Sequence, residues 1–328
     1  MPAAQGTDFL SAGEWAAFHG RPASGLTALG HALNDRGAAA ADLAKARWLL
    51  GVCLGAGGGY GEAFEVLAPL ATTPARGDRW ASFAASTTGS LYRQLGRYRL
   101  ARGFDQAALT AAEALPPTDV EPVVDALLGL AADAVGEGDV DAARLTWARA
   151  AEIADAPDSP WRPRVRAAWV SAEIALLTDD AEAALTAADD AVKGAEEARA
   201  PRHHAKSLVF RAVALRVLGD LATAAVTARR GLAMAVELGV PPVIWPAAVV
   251  LREVLDAAPE TALYRHEPGR AADAARRAVG RIASGLPEDV AATWLARPGV
   301  PDPYAAPDDE DTDPGNPDDA APHPDPRA

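Results

Sequence analysis

Few residues in this chain have types and spacings suited to chemistry. The run Gly55 to Gly61, Gly-Ala-Gly-Gly-Gly-Tyr-Gly, has the backbone freedom to wrap a phosphate. A phosphate loop, however, needs a preceding strand and a following Gly-Lys-Ser/Thr, and here a helical pattern precedes the run and no such triplet follows. A loose turn between two helices accounts for every glycine in it. Six histidines stand at positions 19, 31, 203, 204, 266 and 323, none spaced to put two metal ligands on one helical face. His203 and His204 are adjacent and so point in different directions; just after Pro201, at a helix start, they read as exposed or capping residues. Cys53 is the single cysteine, which leaves no disulfide and no cysteine-rich zinc site. Its place inside a helical segment reads as a buried structural thiol. The acidic runs Asp308 to Asp311 and Asp318-Asp319 lack the glycine and spacing of a calcium loop. No acid, base, nucleophile and metal set converges, so the chain is expected to be no enzyme and to carry no cofactor.

Charge narrows the partners. There are 45 acidic and 31 basic side chains, a net charge of -14. That balance, with only isolated basic pairs at Arg229-Arg230 and Arg276-Arg277, points away from nucleic acid. Residues 301–328 hold nine acidic residues against one arginine, a net of -8, leaving -6 for residues 1–300. The same 28 residues include eight prolines. Such a composition cannot bury enough apolar area to offset chain entropy, and a disordered acidic tail is expected there. The N-terminal residues lack the charged head and apolar core of a signal peptide, and the apolar stretch Val243 to Leu251 is short and interrupted by Pro246. With one cysteine, a cytoplasmic location without membrane contact is the expectation.

Any site must be positioned by helices. Alanine dominates, accompanied by Leu, Arg and Glu, and strand-type alternation is nowhere sustained. Apolar residues recur at three- and four-residue spacing. Breaks fall at Gly57-Gly58-Gly59, Pro116-Pro117, Asp158-Ser159-Pro160 and Pro241-Pro242. Five segments, 49–67, 87–105, 129–147, 170–188 and 210–228, align with one another. Each has a small residue in a first helix, a turn residue seven positions later, and an alanine five positions after that. The small pairs are Gly51/Ala63, Gly89/Ala101, Ala131/Ala143, Ala172/Ala184 and Ala212/Ala224; the turns are Gly58, Gly96, Gly138, Asp179 and Gly219. Small residues on facing helices let their axes approach to about 8–10 Å. Gly or Asp at the turn supplies the left-handed or capping conformation that ends one helix and starts the next.

The segments LYRQLGRYRLA (91–101) and VLGDLATAA (217–225) resemble the tetratricopeptide repeat family, over about residues 40–240. The intervals of 38, 42, 41 and 40 between successive small residues exceed the roughly 34 residues of the standard repeat. The longer helices resemble those of repeat domains in bacterial transcriptional activators of the maltose-regulator type. HEAT-like pairs share the length but lack this turn signature, and remain the competing fold. The expected fold is all-α, a right-handed superhelical solenoid of about six to seven antiparallel hairpins. An N-terminal capping hairpin takes residues 1–38, the repeats 39–240, capping helices 241–300 and the tail 301–328.

The resemblance implies that the first helix of each hairpin lines a concave groove. Positions six and three before each small residue, and four after it, then face the groove. These are Lys45, Trp48, Phe83, Ser86, Arg93, Asp125, Leu128, Arg166, Trp169, Lys206, Val209 and Arg216. Aromatic rings beside cations suit capture of an extended peptide or helix. The resemblance thus implies a non-catalytic scaffold or adaptor with a protein or peptide partner. The alternative is a sensor that holds a small ligand and signals to a transcriptional regulator, for which a closed pocket with polar groups is the mark. The acidic tail, folding back over the cationic groove, is a further expectation.

Overall fold

A computed structural model describes residues 3–72, 75–156, 158–263 and 265–305, with side chains from residue 8. The expected acidic tail lies, from residue 306 on, outside the described residues. Those described form an all-α chain of fifteen α-helices packed as sequential hairpins. The pairs are α1 (Ala3–Phe18) with α2 (Pro22–Leu33), α3 (Ala40–Ala56) with α4 (Tyr60–Ala71), and α5 (Arg79–Gln94) with α6 (Tyr98–Ala112). Next come α7 (Glu121–Glu137) with α8 (Val140–Ala154), α9 (Trp161–Leu177) with α10 (Ala181–Glu197), and α11 (Pro201–Val217) with α12 (Leu221–Leu238). A seventh pair, α13 (Pro241–Ala257) with α14 (Glu267–Ala283), precedes the short α15 (Glu288–Leu295).

The hairpin turns follow from local chemistry. All five turn residues read from the sequence adopt positive φ: 82° at Gly58, 70° at Gly96, 77° at Gly138, 56° at Asp179 and 82° at Gly219. In three hairpins the left-handed residue is followed by an aspartate, Asp139, Asp180 or Asp220. Each carboxylate accepts a hydrogen bond from an amide in the first turn of the next helix. Proline opens α11 and α13 and stands in the first turn of α7, where a missing N–H costs nothing. The ten small residues of the five pairs are all buried, as close axial approach requires.

Consecutive hairpins share a core because each helix pair has a second apolar face left to cover. The stack then turns back on itself. The end of α1 meets α11, where Phe18 and His203 have ring centroids 6.3 Å apart, and Arg21 pairs with Glu237 of α12 at 3.4 Å. From the other end, Ile282 of α14 and Trp294 of α15 join the same apolar cluster as Leu49 and Leu91. Arg297 donates to the Gly96 carbonyl at 3.0 Å and stacks over Tyr98. The glycine-rich run forms the turn between α3 and α4 and packs against α14, where Gly58 faces Arg281 and Ile282. The contact with α1 covers His203, 4% exposed, and His204 beside it is 6% exposed, correcting the expectation that they are exposed or capping residues. Cys53 is buried, and burial pushes its thiol up to about 11. Among the described residues no helix is long and apolar enough to cross a membrane.

Candidate functional site

The concave faces of α3, α5, α7, α9 and α11 surround a cavity of about 760 Å³. Much of its wall is one helical stripe that recurs on these five helices, completed by Phe18 of α1, Tyr98 of α6 and Trp245 of α13. Three positions before the small packing residue stand Trp48, Ser86, Leu128, Trp169 and Val209. One position after it stand Val52, Ser90, Ala132 and Glu173, and four after it Gly55, Arg93, Val135 and Leu176. These offsets recur on one face of a helix because successive three- and four-residue steps nearly complete whole turns.

Of the residues predicted for the groove, Trp48, Ser86, Arg93, Asp125, Leu128, Arg166, Trp169, Lys206 and Val209 line this cavity. Three others are placed elsewhere. Lys45 pairs with Glu14 at 2.7 Å because α1 folds over that end of the concave face. Phe83 is fully buried, its ring stacked 4.6 Å from Trp48, and it faces a smaller cavity of about 260 Å³ on the far side of Trp48. Arg216, in the last turn of α11, pairs with Glu253 of α13 at 3.4 Å, outside the cavity.

The two tryptophans span neighbouring repeats and present a face to the cavity. Trp48 donates its Nε1–H to Thr87 Oγ1 at 3.0 Å, and Trp169 donates to Ser207 Oγ at 2.8 Å. Each bond joins a first helix to the first helix of the following hairpin, so both rings are held with their polar atoms satisfied. His203 stacks on Trp169 with centroids 5.3 Å apart. Lys206 Nζ lies 4.2 Å from the Trp169 centroid and 5.5 Å from that of Phe210.

Charge in the wall is uneven: Arg93, Arg162, Arg166, Arg202 and Lys206 face only Asp125 and Glu173, five cations against two carboxylates. Arg93 is committed behind the wall. Its Nε pairs with Asp133 at 2.7 Å, its Nη2 pairs with Asp105, and it also donates to the Gly129 carbonyl. Burial works against the charge on Arg93, but Asp105 and Asp133 outweigh it and the pKa rises. Asp125 receives Arg162 Nη2 at 2.8 Å and pairs with Arg166, while Arg162 Nε reaches Glu121 at 3.3 Å. Burial lowers Lys206 to about 8, against the pull of Glu173 and with the repulsion of Arg166, Arg93 and Arg202. Burial also pushes Glu173 above the usual carboxylate range, against the pull of Lys206 and the arginines. His203, buried among these cations, falls well below its ordinary value. Among the described residues no group of three or more His, Cys, Asp or Glu could hold a metal ion.

The fold is similar to that of a Rap protein. A solved structure of that protein, complexed with competence and sporulation factor, superimposes with a TM-score of 0.60 at 13% identity. The match covers 86% of this chain and 77% of the other. The sequence matches no protein-family profile and no curated protein.

Arg162, Glu173, Arg202 and His203 also line the cavity and were not among the predicted groove residues. A signal for two of them was present. Arg162 and Arg202 stand ten residues before Ala172 and Ala212, one turn beyond the predicted positions on the same stripe. Arg79 and Glu121 hold that place in α5 and α7, in the wall of the smaller cavity. The sequence held no signal for His203, which reaches the site only because α1 and α9 close around α11.

Proposed function

We propose that this chain is a non-catalytic binding module that holds a short peptide in the chamber enclosed by its first helices. The carrying observation is the cavity of about 760 Å³ on the concave stripe, walled by Trp48, Trp169, Phe210 and a surplus of cations. Its volume lies in the range of roughly 300–1,000 Å³ common to ligand sites. Rigid rings at the wall suit apolar side chains, and Ser86, Arg93, Asp125, Arg166 and Lys206 supply polar contacts for a peptide backbone and its charges. Asp125 is engaged by both Arg162 and Arg166, which suits a structural and binding role better than that of a free base. That a Rap protein of similar fold is complexed with competence and sporulation factor fits this reading. Helices of 15–18 residues from α5 to α12 agree with long-helix tetratricopeptide repeats like those of maltose-regulator-type activators. The buried single thiol agrees with a cytoplasmic home.

A pooled library of short peptides, with free and with amidated C-termini, passed over the full chain and over Ser90→Trp, tests the proposal. Ser90 faces the cavity from α5, so an indole there projects into it and takes space from a bound peptide. Peptides retained by the natural chain and lost from Ser90→Trp are the expected result; retention that ignores Ser90→Trp sinks the reading. The polar groups that converge in the cavity wall also favour a second reading, a sensor for a small organic ligand that signals to a transcriptional regulator. Native mass spectrometry of the purified chain separates the two: a single bound organic mass, displaced by no peptide, selects the sensor.

A further inference from the structure

Two cations on the cavity face of α11 differ from all the others in the wall. Arg93, Arg162 and Arg166 each pair with an aspartate. Arg202 and Lys206, one helical turn apart, have no carboxylate at ion-pair distance among the described residues. Arg202 reaches only the Ala17 carbonyl, at 3.5 Å, and its Nε is buried without a hydrogen-bond partner. The Lys206 ammonium has only the faces of Trp169 and Phe210 beneath it. Both side chains are partly buried, and cations held there without an ion-pair partner carry a desolvation cost that an incoming anion offsets.

We propose that Arg202 and Lys206 form an anion subsite that takes a carboxylate of the ligand held in the chamber. This rests on the reading of the cavity as a ligand chamber. A carboxylate fits better than a phosphate for two reasons. The planar guanidinium of Arg202 offers paired donors to a planar acceptor, with Lys206 as a point charge beside it. Glu173 of α9 stands near Lys206 in the wall, so two cations and one anion leave room for a single negative charge. The carboxylate has two possible sources, a separate peptide or the acidic run Asp308 to Asp311 of this chain.

Geometry is supported by electrostatics. Burial lowers Arg202 to about 10 and Lys206 to about 8, with Arg162 and Arg166 adding repulsion at Arg202, and Arg166, Arg93 and Arg202 at Lys206. Cys53 beside Arg202 and Glu173 of α9 beside Lys206 pull the other way without cancelling the shift. An arriving carboxylate offsets that repulsion. Affinity is therefore expected to fall as pH rises through about 8, where Lys206 loses its charge in the empty site.

Trp169 under Lys206 is a built-in reporter. Tryptophan fluorescence of the full chain is titrated at fixed ionic strength with N-acetyl-leucine, with its neutral amide, and with inorganic phosphate. The acid is expected to give a saturable change, at least about tenfold tighter than the amide, lost to a similar degree in Arg202→Gln and Lys206→Gln. Lys206→Arg restores binding and removes its decline above about pH 8, a readout that a merely structural role would not move. The neutralised full chain Asp308→Asn, Asp309→Asn, Glu310→Gln, Asp311→Asn identifies the source. A gain in its affinity assigns the carboxylate to this chain's own segment, and an unchanged affinity assigns it to a separate ligand. Equal binding of acid and amide, or no binding of the acid by either the natural or the neutralised chain, overturns the subsite. Phosphate binding tighter than the acid overturns the carboxylate assignment. The chamber reading is judged separately by the peptide library on Ser90→Trp, which contains amidated peptides and so survives loss of the subsite.

Discussion

At the scale of single residues, Arg93 joins three helices through charge. It stands on α5, and its partners Asp105 and Asp133 come from α6 and α7; both carboxylates are fully buried. Burial pushes the Asp105 carboxyl well above its usual range, against the pull of Arg93. The fit is tight, since a Cβ at Gly129 on α7 would fall onto the Asp105 carboxylate. Arg93→Ala leaves two buried acids unpaired and is expected to cost about 3–5 kcal/mol. Arg216→Ala, which breaks a half-exposed pair, should cost under about 1 kcal/mol. Urea unfolding of the two variants checks the contrast. Lys206 makes a pH prediction of its own. Its pKa is about 8 in the folded chain against an ordinary 10.5, so between those values the unfolded chain binds more protons. Native stability contributed by this group therefore rises as pH climbs from about 8 to 10.5, and is lost as pH falls through about 8. The rise, on the order of 3 kcal/mol, should be absent from Lys206→Met when both chains are unfolded at several pH values.

At the scale of the element, three of the hairpin turns pair a left-handed residue with a capping aspartate. Gly219 has φ of 82° with nothing near the position where a Cβ would stand. Space is therefore no obstacle, and Gly219→Ala isolates the backbone cost, about 1–2 kcal/mol. Asp220 beside it caps α12 by accepting from the Thr223 amide at 3.1 Å. Asp220→Ala should cost a further 1 kcal/mol or so. Thermal unfolding of the two single variants and the double variant measures both; no loss at Gly219→Ala would show that the turn tolerates another conformation.

At the scale of the whole molecule, both ends of the stack fold back onto it: α1 meets α11, and α14 and α15 join the core of the first half. Trp294 of α15 is buried in the cluster it shares with helices from the first half of the chain. Trp294→Ala removes the largest side chain of that contact and is expected to destabilise by about 3–5 kcal/mol. It should also loosen the closure, seen as a larger radius of gyration in small-angle scattering at unchanged helix content. A radius that stays the same would mean that α14 and the contact of α1 with α11 suffice to hold the ring.

The sequence by itself determined the repeats, the turn positions and the packing pairs. These obey local rules: a left-handed φ needs Gly or Asp, close helix axes need small residues, and a helical face repeats every three to four positions. It marked part of the cavity wall as well, because Trp48, Ser86, Arg93, Asp125, Arg166, Trp169 and Lys206 lie on a stripe that periodicity picks out. Only the tertiary structure decided which charges are free. Arg166 and Arg202 look alike along the chain, yet Asp125 from α7 neutralises one, and among the described residues no acid reaches the other. Tertiary structure also withdrew Lys45, Phe83 and Arg216 from the cavity and brought His203 into it, since each outcome depends on a helix far away in sequence. Periodicity reports which face a residue is on; what stands opposite that face is set by how far the stack curves before its ends meet.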